Sequence, residues 1–171
     1  MSRALIVLCN LIAYVLVITV FCGCSKHQGL QTGEAMPAFE LTDLSGKQQA
    51  IPGIFKGKVM LLRFWALDCD FCSKENLVAF ETLFQKYQNL GFLPIAIIEG
   101  RFDLGDERLK KLTSLNYPML NDDHSRLAKK LGVIALPTTF IFDAQGVLRD
   151  KITGEADIEA FEKRLIPVLD K

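Results

Sequence analysis

The chain has 171 residues, of which half are hydrophobic, and its 20 basic and 20 acidic residues give a formal net charge of zero. This length predicts one domain with short additions. Acidic and basic residues are interspersed, so the sequence lacks the basic patch that nucleic-acid binding requires, and we predict no nucleic-acid partner.

The five cysteines are unevenly distributed along the chain. Three of them, Cys9, Cys22 and Cys24, lie in or just after the first apolar segment, and the other two are Cys69 and Cys72. The rest of the chain therefore lacks the four thiolates of a structural zinc site, and we predict no metal there. It offers one internal disulfide at most.

Residues 1–24 have the pattern of an export signal or a membrane anchor. Arg3 is followed by an uncharged, largely apolar stretch over residues 4–24. A short basic region before an apolar one is typical of a secretory signal, and roughly 20 apolar residues can also cross a bilayer as a helix. We therefore predict that the folded part is tethered at the extracytoplasmic face of a bacterial membrane, on the periplasm side.

The end of this stretch, VFCGCS, resembles a bacterial lipobox. Gly23 takes the small position before the cysteine, so Cys24 is the predicted lipidation site, although Phe21 and Cys22 depart from the usual motif. The alternatives are an uncleaved transmembrane helix and a buried core helix. Either form of membrane attachment places the domain where disulfides persist.

Residues 25–36 are polar and interrupted by glycine, which predicts a linker and leaves residues 37–171 as the folded domain. Apolar and polar residues alternate around a turn at LSGK, which predicts a β-hairpin within 39–51. The near-continuous apolar run at 58–66 is typical of a central strand covered on both faces. Apolar residues at helical spacing then predict a helix that starts at Cys72.

Gly91 is predicted to end that helix, and strands alternate with helices before a terminal hairpin and helix. In chain order, these are a strand at 92–98, helices at 104–115 and 123–132, strands at 138–143 and 147–153, and a helix at 155–169. This alternation predicts an α/β fold with a mixed sheet.

Cys69 and Cys72 form a CxxC motif between the predicted central strand and the first long helix. At a helix N-terminus, unpaired N–H groups and the helix dipole favour a thiolate, which is the reactive form of cysteine. The second cysteine lies about one turn further along and can close a small disulfide. In this strand–helix context the motif favours a redox pair.

Two other interpretations of the motif remain open from the residues alone. A purely structural disulfide would remove little unfolded-chain entropy, because the loop that it closes is very short. A copper site would need further ligands, and His124, a lone histidine before a predicted helix, could complete one with Cys69 and Cys72.

From about residue 33 to residue 171 the sequence resembles the TlpA/ResA-type membrane-tethered thioredoxin-like proteins. The motifs that carry the resemblance are AMPAFELTDLSGK, GKVMLLRFWALDCDFCSKE and LGVIALPTTFIFDAQGVL. It implies a thioredoxin fold, with a central mixed sheet flanked by helices, an N-terminal β-hairpin and a strand–helix insertion over residues 100–135. It also implies thiol–disulfide exchange without a bound cofactor.

The resemblance assigns roles to three residues around the motif. Cys69 matches the nucleophile and Cys72 the resolving cysteine, and the two form a disulfide with each other in the oxidised protein. Glu75 matches an acid that such proteins carry near the thiols and that could shuttle protons. A solvated acid in the first helical turn is the alternative for Glu75.

Three further residues match the family's substrate-binding positions. Pro137 matches a cis-proline that lies beside the cysteines, and the backbone at Leu136 would pair with the substrate. Trp65 matches a family tryptophan near the motif. Core packing at the end of a strand is the alternative for Trp65.

The sequence departs from the family at Asp68 and Phe71, where tryptophan and proline are usual, and at Arg63, which replaces a frequent asparagine. Asp68 and Asp70 flank Cys69, and negative charge disfavours a nearby thiolate. A less stable thiolate makes the dithiol more reducing. We therefore predict a disulfide reductase rather than a strong oxidant.

The resemblance implies two kinds of partner, namely proteins with disulfides and a membrane electron donor that re-reduces the dithiol. Apocytochrome c is the family's common target, so cytochrome c maturation is an expected role. A copper-binding or metallochaperone module is the alternative function, but the copper-delivery relatives have three residues between their cysteines. A peroxidase would need a threonine where this sequence has Ala66.

Overall fold

The computed structural model describes residues 29–170, except for positions 102, 104, 111 and 113. The predicted signal or anchor and the predicted lipidation site at Cys24 lie outside these residues. Within the described part, no helix is both long enough and apolar enough to cross a membrane.

Seven strands form one mixed sheet. In chain order they are β1 (Phe39–Asp43), β2 (Gln48–Ile51), β3 (Val59–Trp65), β4 (Phe92–Glu99), β5 (Met119–Asp122), β6 (Thr138–Phe142) and β7 (Leu148–Thr153). Their order across the sheet is β2-β1-β5-β4-β3-β6-β7. The central strand β3 is parallel to β4 and antiparallel to β6. The predicted α/β fold with a mixed sheet is confirmed.

Within the described residues, four α-helices connect and flank the strands. They are α1 (Lys74–Tyr87), α2 (Glu107–Lys110), α3 (Arg126–Leu131) and α4 (Ile158–Leu169). The helix predicted over 104–115 is wrong in its length, because among the described residues of that range Glu107–Lys110 alone are helical. Strand β5 lies in the predicted insertion and was not predicted as a separate strand from its residue pattern.

Every residue of β3 is buried, because the sheet is covered on both faces. Side chains of a strand point alternately to opposite faces, and two apolar clusters follow this alternation. The first cluster contains Leu61 and Trp65 with residues of α1 and α4. The second contains Leu62 and Phe64 with residues of α3 and the N-terminal hairpin. Strand β3 is therefore the fixed centre from which the chain leads into the CxxC motif.

Part of the predicted linker contacts the folded domain. The amide of Gly33 donates to Leu148 (2.8 Å), the amide of Leu148 donates to Glu34 (2.9 Å), and Met36 is buried. The amide of Leu30 donates to Leu131. Residues 30–36 therefore form a packed segment along β7 and α3, since their backbone groups and one apolar side chain find partners there.

Candidate active site

Cys69 and Cys72 lie in the loop between β3 and α1, and the structure joins their sulfur atoms in a disulfide. The loop is a tight turn, in which the Cys72 amide donates to the Cys69 carbonyl (3.1 Å). Cys69 is partly buried, whereas only 6% of Cys72 is exposed. Cys69 is therefore the more accessible of the two cysteines, and its predicted role as the nucleophile stays a prediction.

Helix α1 begins directly after the motif. Ser73 is its N-cap residue, and the Ser73 hydroxyl accepts a hydrogen bond from the Asn76 amide (3.2 Å). A serine at this position is a favoured helix start. The positive end of the helix dipole consequently lies next to the two sulfur atoms and favours negative charge on them.

The disulfide opens into a cleft lined mainly by charged side chains. Besides Leu67 and the two cysteines, the lining residues are Asp68, Asp70, Lys74, Glu75 and Arg108. Three acids and two bases therefore surround the exchange site, so the local charge is close to balanced.

Arg108 was not identified from the sequence, although it contacts the residue that precedes Cys69. Its guanidinium donates to the Asp68 carboxylate (2.7 Å), the Asp106 carboxylate (2.6 Å) and the Leu67 carbonyl (3.3 Å). Hydrogen bonds to Asp106 and Asp68 raise the pKa of Arg108 above its usual value. Asp68 is therefore not an uncompensated negative charge beside Cys69. This weakens the sequence-based prediction that the flanking acids destabilise the Cys69 thiolate.

Glu75 lines the same cleft and is exposed. Its carboxylate accepts a hydrogen bond from the Ser73 hydroxyl (2.9 Å). Hydrogen bonds from its own amide and from Ser73 lower the pKa of Glu75. The carboxylate is therefore ionised at neutral pH, as a solvated first-turn acid would be, and its predicted role in proton transfer stays a prediction.

The proline loop lies at the same end of the sheet as the cysteines, because Phe64 of β3 pairs with Thr138 of β6. The Leu136–Pro137 peptide bond is cis. Pro137 is buried, and its carbonyl accepts a hydrogen bond from the Gly154 amide (2.8 Å). Leu136 is half-buried and packs on the apolar cluster that contains Cys72. The predicted substrate contacts at Leu136 and Pro137 stay predictions.

Trp65 lies beneath the site rather than on its surface. Its side chain is 1% exposed and belongs to the apolar cluster that contains Cys72 and Leu67. Trp65 therefore packs in the core, as its alternative interpretation describes, and its predicted substrate contact stays a prediction.

His124 lines a different cleft, together with Phe39, Asp123 and Arg126. The structure therefore does not assemble Cys69, Cys72 and His124 into one set of ligands. In the part of the chain that the structure describes, no group of three or more histidine, cysteine and acidic residues could hold a metal ion.

Comparisons with known proteins agree with this arrangement. The AhpC/TSA family profile matches residues 32–151. The thiol-disulfide oxidoreductase ResA of Bacillus thuringiensis subsp. konkukian (strain 97-27) is 32% identical over 161 residues, which cover 94% of this chain and 90% of that protein.

Two solved structures show the same fold. A thiol:disulfide interchange protein of the thioredoxin family from Chlorobium tepidum TLS superimposes with a TM-score of 0.68 at 20% identity, covering 81% of this chain and 98% of that one. The pneumococcal exposed lipoprotein thioredoxin of Streptococcus pneumoniae strain TIGR4 has a TM-score of 0.61 at 23% identity and covers 77% of this chain and 99% of its own. The predicted thioredoxin fold is confirmed, and the chain is a thiol–disulfide oxidoreductase that belongs to the AhpC/TSA family and, within it, to the TlpA/ResA type.

Proposed function

We propose that this protein is held at the extracytoplasmic face of a membrane and reduces disulfides in exported proteins. The observation that carries the proposal is the dithiol at the N-terminus of α1, in which Cys69 is more accessible than Cys72. A nucleophilic cysteine needs access to the substrate and a stabilised thiolate. The resolving cysteine needs only to reach the first one.

The exchange proceeds in two steps. The Cys69 thiolate attacks one sulfur of a substrate disulfide, forms a mixed disulfide and releases the other substrate sulfur as a thiolate. The Cys72 thiolate then attacks the Cys69 sulfur and releases the second substrate sulfur. The substrate gains two electrons and two protons, and the protein keeps the Cys69–Cys72 disulfide. A membrane-held dithiol donor supplies the electrons for the next cycle.

The charges in the cleft favour the reducing direction through a small excess of acids. Three acids outnumber two bases among its lining residues, and excess negative charge disfavours a thiolate. Because Asp68 is paired with Arg108, the remaining acids, Asp70 and Glu75, carry this argument. Both face water, where each effect is small.

Substrate contact is proposed at the proline loop. The half-buried Leu136 next to buried Pro137 presents backbone at the end of the sheet that carries the cysteines. An extended substrate segment can add hydrogen bonds to such backbone. This geometry would hold a substrate disulfide beside Cys69 without a specific side-chain pocket.

The location rests on the uncharged stretch over residues 4–24 and on the lipobox-like sequence before Cys24. The likeness to a pneumococcal exposed lipoprotein supports it. Reduction of the disulfide that apocytochrome c thiols form is the role that the family resemblance favours. Replacing Cys24 by serine tests the anchor, since we expect the variant to lose a lipid-sized mass and its membrane association; an unchanged mass would contradict lipidation.

Reduction of insulin by the full chain tests the activity. We expect Cys69→Ser and Cys72→Ser each to lose turnover, while Cys24→Ser serves as a matched control and retains it. Equal activity in the parent and both active-site variants would refute the proposal. In native membranes, Cys72→Ser should trap mixed disulfides with substrates, because the resolving thiol is missing, and Cys69→Ser should trap none.

Glu75→Gln tests the predicted proton transfer separately. Loss of a general acid or base typically lowers a rate by about 100-fold or more. A decrease of that order in insulin reduction, confined to the pH range in which the thiols titrate, is expected of a shuttle. An unchanged rate would assign Glu75 to solvated helix capping.

A further inference from the structure

Arg63 is a cation buried in the central strand. Its side chain is 0% exposed, and its Nη2 donates to both carboxylate oxygens of Glu155, at 2.8 and 2.6 Å. Its Nη1 makes one long contact with the Thr139 hydroxyl (3.4 Å), and its Nε has no partner in the described structure. Because a buried charge is costly unless it is paired, Arg63 depends on Glu155.

Glu155 also contacts the start of the helix that follows Cys72. Its Oε2 accepts a hydrogen bond from the Ser73 amide (2.8 Å), and its Oε1 accepts one from the Asn76 side chain (2.5 Å). Ser73 is the residue directly after Cys72 and caps α1. One carboxylate thus joins the buried cation to the peptide unit next to the resolving cysteine.

The same pair reaches the strands that carry the proline loop. Thr139, which contacts Arg63, lies two residues after Pro137. Gly154, which precedes Glu155, donates its amide to the Pro137 carbonyl (2.8 Å). The ion pair therefore connects β3, the start of α1 and the segment behind the cis-proline.

Aromatic packing fixes the guanidinium in place. Its Cζ lies 5.6 Å from the ring centre of Phe80 in α1 and 5.8 Å from that of Phe161 in α4. The two rings meet edge to face, with centres 5.0 Å apart. Both rings and Cys72 belong to one buried cluster, so the cation cannot move to water when its partner is removed.

The pair also balances charge beneath the cysteines. The Glu155 carboxylate is hydrogen-bonded one residue after Cys72, and the Arg63 guanidinium lies directly behind it. Loss of either member would leave one uncompensated charge close to the thiols. A positive charge favours a thiolate and a negative charge disfavours it.

Resting on the proposed thiol–disulfide exchange, we propose that Arg63 and Glu155 are positioning residues of the dithiol. The pair holds the N-terminus of α1 against β3 and the proline segment, and it keeps the charge beneath Cys69 and Cys72 neutral.

The test measures how fast the CxxC peptide of the reduced full chain is first alkylated at pH 7, by mass spectrometry. The rate follows the thiolate fraction. We expect Glu155→Gln to raise the rate about threefold and Arg63→Met to lower it about threefold, since the unbalanced charges have opposite signs. The double variant should return close to the parent rate.

Two matched controls accompany these variants. Glu155→Asp keeps the negative charge and should leave the rate near that of the parent. Glu162→Gln removes a similar carboxylate that joins α1 to α4 through Lys86 at the other end of the helix, and it should leave the rate unchanged.

A shift of both single variants in the same direction, or rates equal to that of Glu162→Gln, would overturn the proposal, because a merely structural pair has no such sign. If Arg63→Met does not fold, Glu155→Gln decides alone, since its side chain is 32% exposed and the amide oxygen can still accept the hydrogen bond from Ser73 or that from Asn76. Alkylation requires no substrate. A parent inactive toward insulin would therefore defeat the proposed function and leave this test readable.

Discussion

Removing either member of the Arg63–Glu155 pair should destabilise the fold by unequal amounts. Glu155→Ala leaves a guanidinium that is 0% exposed, with no carboxylate partner among the described residues and one long hydrogen bond, to Thr139. Arg63→Met leaves a carboxylate that is 32% exposed and still bonded to Ser73 and Asn76. The first variant strands a buried charge, whereas the second leaves a charge that water can reach.

The magnitudes follow from this asymmetry. Breaking a buried pair by removing one partner costs about 3 to 5 kcal/mol. Because Glu155 is partly exposed, we expect Glu155→Ala to lower the free energy of unfolding by no more than about 3 kcal/mol. Arg63→Met loses the charge-assisted hydrogen bonds to Glu155 and keeps an apolar side chain between Phe80 and Phe161, for a cost of about 1.5 kcal/mol. The double variant should cost less than the sum, because residues in contact are coupled.

Urea unfolding of the oxidised full chain gives these free energies. Trp65 is the only tryptophan in the sequence and is buried beside the site, so its fluorescence reports unfolding. Urea is uncharged and does not screen the ion pair. Equal costs for the two single variants, or an additive double variant, would refute the reasoning that Arg63 is the stranded charge.

Three other expectations concern the Arg108–Asp68 pair, the pKa of Glu99 and the redox potential of the dithiol. Arg108→Gln frees the Asp68 carboxylate and should slow alkylation of Cys69, but by less than about threefold because the pair faces water; Arg101→Gln, whose partner is Asp123, is the control, and an equal effect in both would contradict the assignment. Burial, together with the charge of Asp122, raises the pKa of Glu99 to about 7, so its contribution to stability is present below the unfolded pKa and is lost as pH rises toward 7. Glu99→Gln should remove this loss, on the order of 1 kcal/mol between pH 5 and 8 after allowance for a half-exposed group, and an unchanged pH profile of urea unfolding would contradict it. Equilibration with glutathione should place the dithiol nearer about −270 mV than about −120 mV, and a value close to the latter would contradict the reductase direction.

Local periodicity was sufficient for the parts of the fold whose partners are near in sequence or whose burial is complete. The seven buried residues of β3 produce an apolar run that only a central strand explains. The segment after Gly100 follows its pattern only in part. Most backbone hydrogen bonds between its described residues have three-residue spacing, and the one from the Lys110 amide to Asp106 has the four-residue spacing of an α-helix. The amide of Leu109 donates to Asp106 and that of Leu112 donates to Leu109. The apolar spacing of a helix was present there, but the chain closes single turns instead.

Strand β5 shows the complementary failure. Its sequence, MLND, is short and half polar, so nothing local distinguishes it from a loop. Its conformation is set by its neighbours, since it pairs with β4 on one side and with β1 on the other. A family resemblance could imply a strand in this insertion, whereas the residues themselves could not place it.

The cysteines could be identified from the sequence because the CxxC motif lies within four consecutive residues. Arg108 and Glu155 were not found. Arg108 lies 40 residues along the chain from its partner Asp68, and Glu155 lies 82 residues from its partner Ser73. Trp65 was assigned to substrate binding by its match to a family tryptophan, which says nothing about the face of the strand on which it lies. Partners across the fold are decided by topology, which local sequence patterns do not contain.

The direction of electron flow therefore cannot be obtained by counting acids around Cys69. Arg108, which lies in the predicted insertion, pairs with Asp68. Glu155 pairs with Arg63, whose side chain is buried in the core. Arg108 also pairs with Asp106, and Lys74 lines the same cleft. The thiolate therefore responds to the helix dipole and Lys74 on one side, and to Asp70, Glu75 and the negative charge that Arg108 leaves on its two acids on the other. Removing either of the paired arginines, Arg63 or Arg108, should make the dithiol more reducing, because the acid that it pairs with is then left unopposed. A relative that has a neutral residue at either position should for this reason differ from this protein in potential even where its CxxC motif is the same.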